Sequence, residues 1–435
     1  MEIMNIKKGI FSIIDELSAS VIDLVKDIGA HPELGYKEFR TSDVVNDFFR
    51  SAGFDTERGL AVTGIKAKLK KEHSGPNIAF IGELDGITCT ESSRADKTTG
   101  ATHHCGHNLQ LGVMMLVAQA LKKSGVAPLL GGNISFIASP AEEYIELEYR
   151  SDLRNRGQIS YFGGKQELIR CGAFDDVDAA IMVHSQSNTP YPYVGTVNTG
   201  NGLIAEMICY IGKTAHAAAA PEEGINALHA AILGINAVNA IRETFRDEDH
   251  NRIHYIITKG GDAVNSVPAD VRLECIVRSC NVVPLRRLLE KTEQAFRSGG
   301  YAMGALTEIK RLSGYLPLVC NDELNRLFAE NARQFVPEKH ITTVDFFKAS
   351  TDMGDITHLM PAIHPLVGGA DGALHAANFE AVDYTAAVVT PAKIVASTLF
   401  DLLTDKAKKM RSIIEKNPPL LIKQEYFDLL DSFFN

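Results

Sequence analysis

The run Ile78-Ala79-Phe80-Ile81-Gly82, followed directly by Glu83-Leu84-Asp85, carries the clearest architectural signal in the chain. An apolar run with no polar alternation describes a strand buried on both faces, the kind found inside parallel sheets. Two further runs repeat it: Ile134 to Ala138 leads into Pro140-Ala141-Glu142-Glu143, and Ala179 to Val183 leads into His184. Helical periodicity lies between them, as in Leu109 to Lys122. Buried strands alternating with helices predict an α/β fold with a mixed, largely parallel sheet flanked by helices. Acids and an imidazole follow each strand, at the carboxyl edge where open α/β sheets form their sites.

Ahead of this core, Ile10, Ile13, Ile14, Leu17, Val21, Leu24, Val25 and Ile28 recur at helical spacing and predict a core-facing helix, broken at His31-Pro32-Glu33-Leu34-Gly35. Beyond the third strand the pattern changes. A strand-like Leu203 to Ile211, a helix from Gly224 to Phe245, strands Arg252 to Thr258 and Val271 to Arg278, and a helix from Val283 to Arg297 make a β-α-β-β-α-β unit. This unit is expected as a domain inserted at 194–312 between the two parts, 1–193 and 313–435, of a first domain. The tail from Lys406 onward is expected to be a helical extension.

Bulk properties narrow the class. A chain of 435 residues with 45% hydrophobic content has enough apolar surface for two cores. Its formal charge of −10 disfavours nucleic acid and anionic lipid as partners, since both demand surplus Lys and Arg, and points to a small-molecule substrate. No stretch is expected to span a membrane, and the start Met1-Glu2-Ile3 does not resemble a secretory signal. The seven scattered cysteines suggest free thiols rather than a disulfide framework, so a cytoplasmic setting is expected.

The chemistry concentrates in His103-His104-Cys105-Gly106-His107-Asn108 and in Glu142-Glu143. A thiol, an imidazole and a carboxylate suit zinc-like ions, and Gly106 permits the reversal that would point Cys105 and His107 into one place. Adjacent glutamates after a buried strand diverge, so one can hold metal while the other stays available for proton transfer. Ser350-Thr351-Asp352 lacks the Gly-x-Ser-x-Gly elbow of a serine nucleophile and is expected to shape the substrate cleft.

In order and spacing, these motifs resemble an M20-type metallopeptidase, in the amidohydrolase branch that includes aminobenzoyl-glutamate hydrolases and N-acyl amino acid deacylases. The resemblance runs from His31-Pro32-Glu33-Leu34-Gly35 through Cys105-Gly106-His107-Asn108, Ala141-Glu142-Glu143, Val183-His184, Gly212-Lys213-Thr214-Ala215-His216-Ala217, Asn265-Ser266-Val267-Pro268 and Ser350-Thr351-Asp352 to Leu374-His375. It implies a zinc-peptidase-like domain holding two divalent ions, zinc or manganese, and a ferredoxin-like lid that mediates a homodimer. By motif position it assigns Cys105, His107, Glu143, His184 and His375 as ligands and Glu142 as the base. Asp85 completes the catalytic set as the aspartate behind the ligands, and Glu83 falls where other branches have a ligand histidine. On the lid it assigns His216 to the oxyanion in the partner's site, and Asn265 and Arg278 to substrate binding. The activity implied is hydrolysis of the amide of a small N-acyl amino acid or aminobenzoyl-glutamate-like conjugate, with a strict dipeptidase or a non-catalytic dimeric binding protein as alternatives. Two segments, Thr88 to Thr102 and Tyr144 to Tyr161, are longer than in many relatives and emerge at the active-site edge.

Overall fold

The computed structural model describes residues 2–70, 74–312 and 314–433. The chain forms two compact units, one of Met1–Asn198, Val319–Phe346 and Asp355–Leu420, the other of Thr199–Leu318, Phe347–Gly354 and Leu421–Asn435.

In the first unit a six-stranded sheet runs in the order Thr56–Leu60, Gly64–Lys68, Asn133–Ser139, Asn77–Glu83, Ala179–Met182, Ala362–Ile363. The last four strands are mutually parallel and the first two antiparallel. Every residue of Asn77–Glu83 and Asn133–Ser139 is buried, which is why their sequences show no alternation. The helix Glu2–Ala30 buries Ile10, Ile14, Leu17, Val21, Val25 and Ile28 as one stripe. It lies close against the helix His107–Lys123, because a Cβ on Gly112 would stand 2.4 Å from Val25.

The helical stretch Thr385–Lys416 is long and apolar enough to cross a bilayer by length and composition. However, 83% of its most apolar window is buried inside the fold, as in a core helix.

The second unit is a four-stranded antiparallel sheet in the order Arg252–Lys259, Asp270–Ser279, Gly202–Ile211, Leu306–Arg311, with helices Ala227–Ile241 and Val282–Met303 packed on it. Strand, helix, strand, strand, helix, strand with this order is the ferredoxin-like arrangement. The unit's ends differ from the expected 194 and 312. It also takes in Leu421–Asn435, so the end of the tail belongs here, while its first part, from Lys406 to Leu420, stays in the first unit. The reason is local: Arg286 donates to Ser432 Oγ (2.7 Å) and lies over the Phe433 ring.

Candidate metal centre

Four chain segments deliver side chains to the carboxyl edge of the parallel sheet. The loop before the helix His107–Lys123 reverses at Gly106, whose φ of 82° is left-handed and whose Cβ, if present, would meet Ser185 Oγ at 2.3 Å. Ala141, after the strand Asn133–Ser139, takes a φ of 50°, and His375 a φ of 65°. Such conformations are costly for residues with a Cβ and persist only where surrounding contacts enforce them.

These turns bring the expected ligands together. Cys105 Sγ lies 3.3 Å from His184 Nε2 and 3.3 Å from His375 Nε2. Cys105, His107 and His184 form one group able to hold a cation, and Cys105, Glu143 and His375 a second, with the sulfur common to both. Glu83, His107 and Glu142 make a third. Cys105, His107, Glu142, Glu143 and His184 are buried, whereas the His375 side chain is 46% exposed and marks the open side. His107 Nε2 stands 3.1 Å from Glu83 and Glu143 Oε1 3.0 Å from His375, yet neither atom has an aligned hydrogen bond. Lone pairs that converge without donor geometry, around a thiol, three imidazoles and a carboxylate, fit divalent ions of the zinc class. Burial and the Glu143 charge push the Cys105 thiol up, so a neighbouring cation is what would ionise it.

Behind the ligands lies a second layer. The fully buried Asp85 accepts from the Glu143 N–H (2.9 Å) and lies 3.2 Å from His107 Nδ1, whose other neighbour is the Asp85 carbonyl at 2.8 Å. Asp85, expected as the aspartate behind the ligands, touches two of the expected ligands, His107 and Glu143, where it can orient both. Glu83 is held by Lys165 Nζ (2.5 Å) and Gln110 Nε2 (2.9 Å), all buried. Burial opposes its charge, yet Lys165, then His107 and His184, keep its carboxyl well below the usual range. Burial likewise works to raise Glu143, but His375 holds it at about 2. His184 is pushed down by burial, and its ring packs 5.4 Å from that of His364.

Sequence reasoning missed several of these groups. Glu38 accepts from the Ala141 N–H (2.8 Å) and from Thr63 Oγ1 (2.7 Å), and burial followed by the Asp85 charge lifts its carboxyl to about 8. Arg150, from the Tyr144 to Tyr161 segment, is wholly buried and donates to the carbonyls of Glu143, Phe162 (2.8 Å) and Ala141 (3.4 Å). That segment therefore fastens the turn carrying Glu142. Lys165 had a visible signal in Phe162-Gly163-Gly164-Lys165; Glu38 and Arg150 had none.

The remaining expected residues lie in the second unit. Exposed His216 accepts the N–H groups of Ala218 (3.2 Å) and Ala219 (3.0 Å) on Nδ1, which places its ring proton on Nε2. Its loop pairs with that of Asn265, since His216 bridges Ser266 and the Ala217 N–H donates to the Asn265 carbonyl (3.0 Å). Arg278 is not brought to them. It stands opposite Leu203, while Ile211, at the end leading to His216, stands opposite Asp270.

Comparison with known proteins gives a consistent picture. Residues 79–401 match the pattern described as peptidase family M20/M25/M40. The Xaa-Arg dipeptidase of Mus musculus is 28% identical over 415 residues, covering 90% of this chain and 87% of that protein. The N-acyl-L-amino acid amidohydrolase of Geobacillus stearothermophilus is 26% identical, covering 73% of this chain and 82% of its own length. Among solved structures, a dinuclear metal-binding M20 peptidase from Bacillus subtilis superposes with a TM-score of 0.65 at 19% identity, over 89% of this chain and 99% of that one.

Proposed function

We propose, on the premise that this chain belongs to peptidase family M20/M25/M40, that it is a two-metal amidohydrolase. Its substrate on this reading is a small N-acyl amino acid or aminobenzoyl-glutamate-like conjugate. The observation that carries the reading is the shared sulfur: two ligand trios meet at Cys105, and Glu142, which belongs to neither of them, lies 3.9 Å from His107. Divalent ions bound there would supply Lewis acidity and lower the pKa of water toward neutrality. Glu142 takes the proton of the attacking water and passes it to the amide nitrogen as the C–N bond breaks. Arg278 offers a two-pronged donor for an α-carboxylate. His216 offers its Nε2–H to the developing oxyanion.

A geometric argument supports a homodimer. Asp270 and Arg278 are eight residues apart on one strand, roughly 27 Å at strand rise, and His216 lies beyond the Asp270 end. One small substrate cannot touch both in a single copy, so if both act, they come from two copies. Exposed Ile232, Leu233, Ile256 and Ile257 supply apolar surface on the same unit.

A dipeptidase is the second reading, favoured by the coverage of the Xaa-Arg dipeptidase match. The test is a panel of N-acetyl, N-benzoyl and aminobenzoyl amino acids and dipeptides, assayed after chelation and metal add-back. Glu142→Gln is expected to keep two metal equivalents per chain and lose turnover by about 10²- to 10⁴-fold. A near wild-type rate in that variant, or a fully loaded enzyme with one metal per chain, would sink the proposal.

A further inference from the structure

Outside the metal centre, a cavity of about 350 Å³ opens between the end of the helix Glu2–Ala30, the Thr88 to Thr102 segment and the stretch around Phe379 to Tyr384. None of the metal ligands lines it, and no carboxylate does, although the chain carries 54 acids and a formal charge of −10. Lys26 and Arg94 stand at its rim, both exposed. Lys26 Nζ lies 5.0 Å from the centroid of the Tyr384 ring, and Arg94 donates to the Phe379 carbonyl. On the floor is His103, 6% exposed, with both ring nitrogens buried and without hydrogen-bond partners. An orphaned imidazole at the bottom of a roomy, mainly apolar pocket is a group waiting for a ligand.

We infer that this cavity is a binding site for a small anion carrying a flat apolar group, of the aromatic carboxylate class. Two cations and an imidazole N–H supply charge-assisted hydrogen bonds to the anionic end, and the mainly apolar lining, with the Tyr384 ring in it, accommodates a planar body. Inorganic anions satisfy only the first half of this lining. The site also abuts the metal centre: His103 lies two residues before Cys105 in the chain, and the His375 N–H donates to the carbonyl of His104 at 2.9 Å. Arg94 comes from the Thr88 to Thr102 segment, so the cavity depends on that loop.

The test is equilibrium binding, so it stands apart from whether any amide is hydrolysed. Zinc-loaded full-length protein is titrated calorimetrically with benzoate and, separately, with inorganic phosphate, beside K26Q/R94Q and the single variant K26Q, with zinc content checked in each. Saturable benzoate binding is expected, tighter than phosphate and weakened at least about tenfold in K26Q/R94Q, with K26Q alone intermediate. The inference is overturned by no saturation in the wild type, by phosphate binding as tightly as benzoate, or by equal benzoate affinity in the wild type and variants. Equal affinity would put the benzoate on the metals.

Discussion

Replacing Arg150 with methionine tests whether the Tyr144 to Tyr161 segment holds the catalytic turn. Methionine fills similar space but donates no hydrogen bond. The carbonyls of Glu143 and Phe162 would then be buried without their donor, at ~1–3 kcal/mol each. The contact to Ala141 at 3.4 Å is too long to add much. Stacking of the guanidinium over the Tyr36 ring at 5.5 Å and the Tyr144 ring at 5.8 Å is also lost, another ~0.5–2 kcal/mol. Against these losses, a buried charge no longer needs to be desolvated, which returns part of the cost. The net expectation is a destabilisation of about 2–5 kcal/mol, read from urea unfolding of metal-free protein by circular dichroism. Because Ala141 sits at a φ of 50°, loosening its anchor should also displace Glu142, lowering kcat more than it raises KM. Arg150→Lys, with one ammonium for several carbonyls, should fall between. If Arg150→Met unfolds within ~0.5 kcal/mol of wild type and turns over normally, Arg150 does not fasten the turn.

Other perturbations probe separate layers. Lys165→Met should strand the buried Glu83 carboxylate and cost about 3–5 kcal/mol in metal-free protein; an unchanged urea midpoint would count against the ion pair. Glu38→Gln should alter the pH profile of stability. The folded Glu38 carboxyl, lifted to about 8 from an ordinary 4.5, binds its proton more tightly than the unfolded chain does. Wild-type stability should therefore fall as pH rises from 4.5 toward 8, and the Gln variant should follow a flatter curve over that window; parallel curves would refute the assignment. Cys105→Ala should cut bound zinc from two equivalents to at most one, because both trios lose their common ligand; elemental analysis finding two would exclude the sulfur as a bridge. Arg278→Lys should raise KM for substrates ending in a carboxylate and leave kcat nearly unchanged, and steady-state kinetics with an unchanged KM would remove Arg278 from the substrate site.

Some of this was legible without coordinates, and the difference is physical. Strand, helix and the order of elements follow from residue type and period, which are local: unbroken apolar runs for buried strands, a 3.6-residue stripe for the first helix, Gly106 for the reversal. Cys105 with His107 and the Glu142-Glu143 pair stood out because a thiol, an imidazole and adjacent carboxylates gather at strand ends, whereas His184 and His375 were expected as ligands only through the M20 resemblance. By contrast, the apolar stretch within Thr385–Lys416 reads alike in a membrane and in a core, and only its burial separates the two.

What the tertiary structure alone decided is which ordinary residues stand behind the unusual ones. Lys165 reaches Glu83 across 82 positions, Glu38 reaches Ala141 across 103, and Arg150 closes back on its own turn. Lys, Glu and Arg are common on any surface, so their type says nothing until packing removes water and makes each depend on one particular partner. The sequence by itself determined the kinds of atoms available for chemistry and the strand ends that carry them. Folding decided their distances, their charge states and the distance between Arg278 and His216 along the lid sheet, because these depend on long-range contacts that no local pattern encodes.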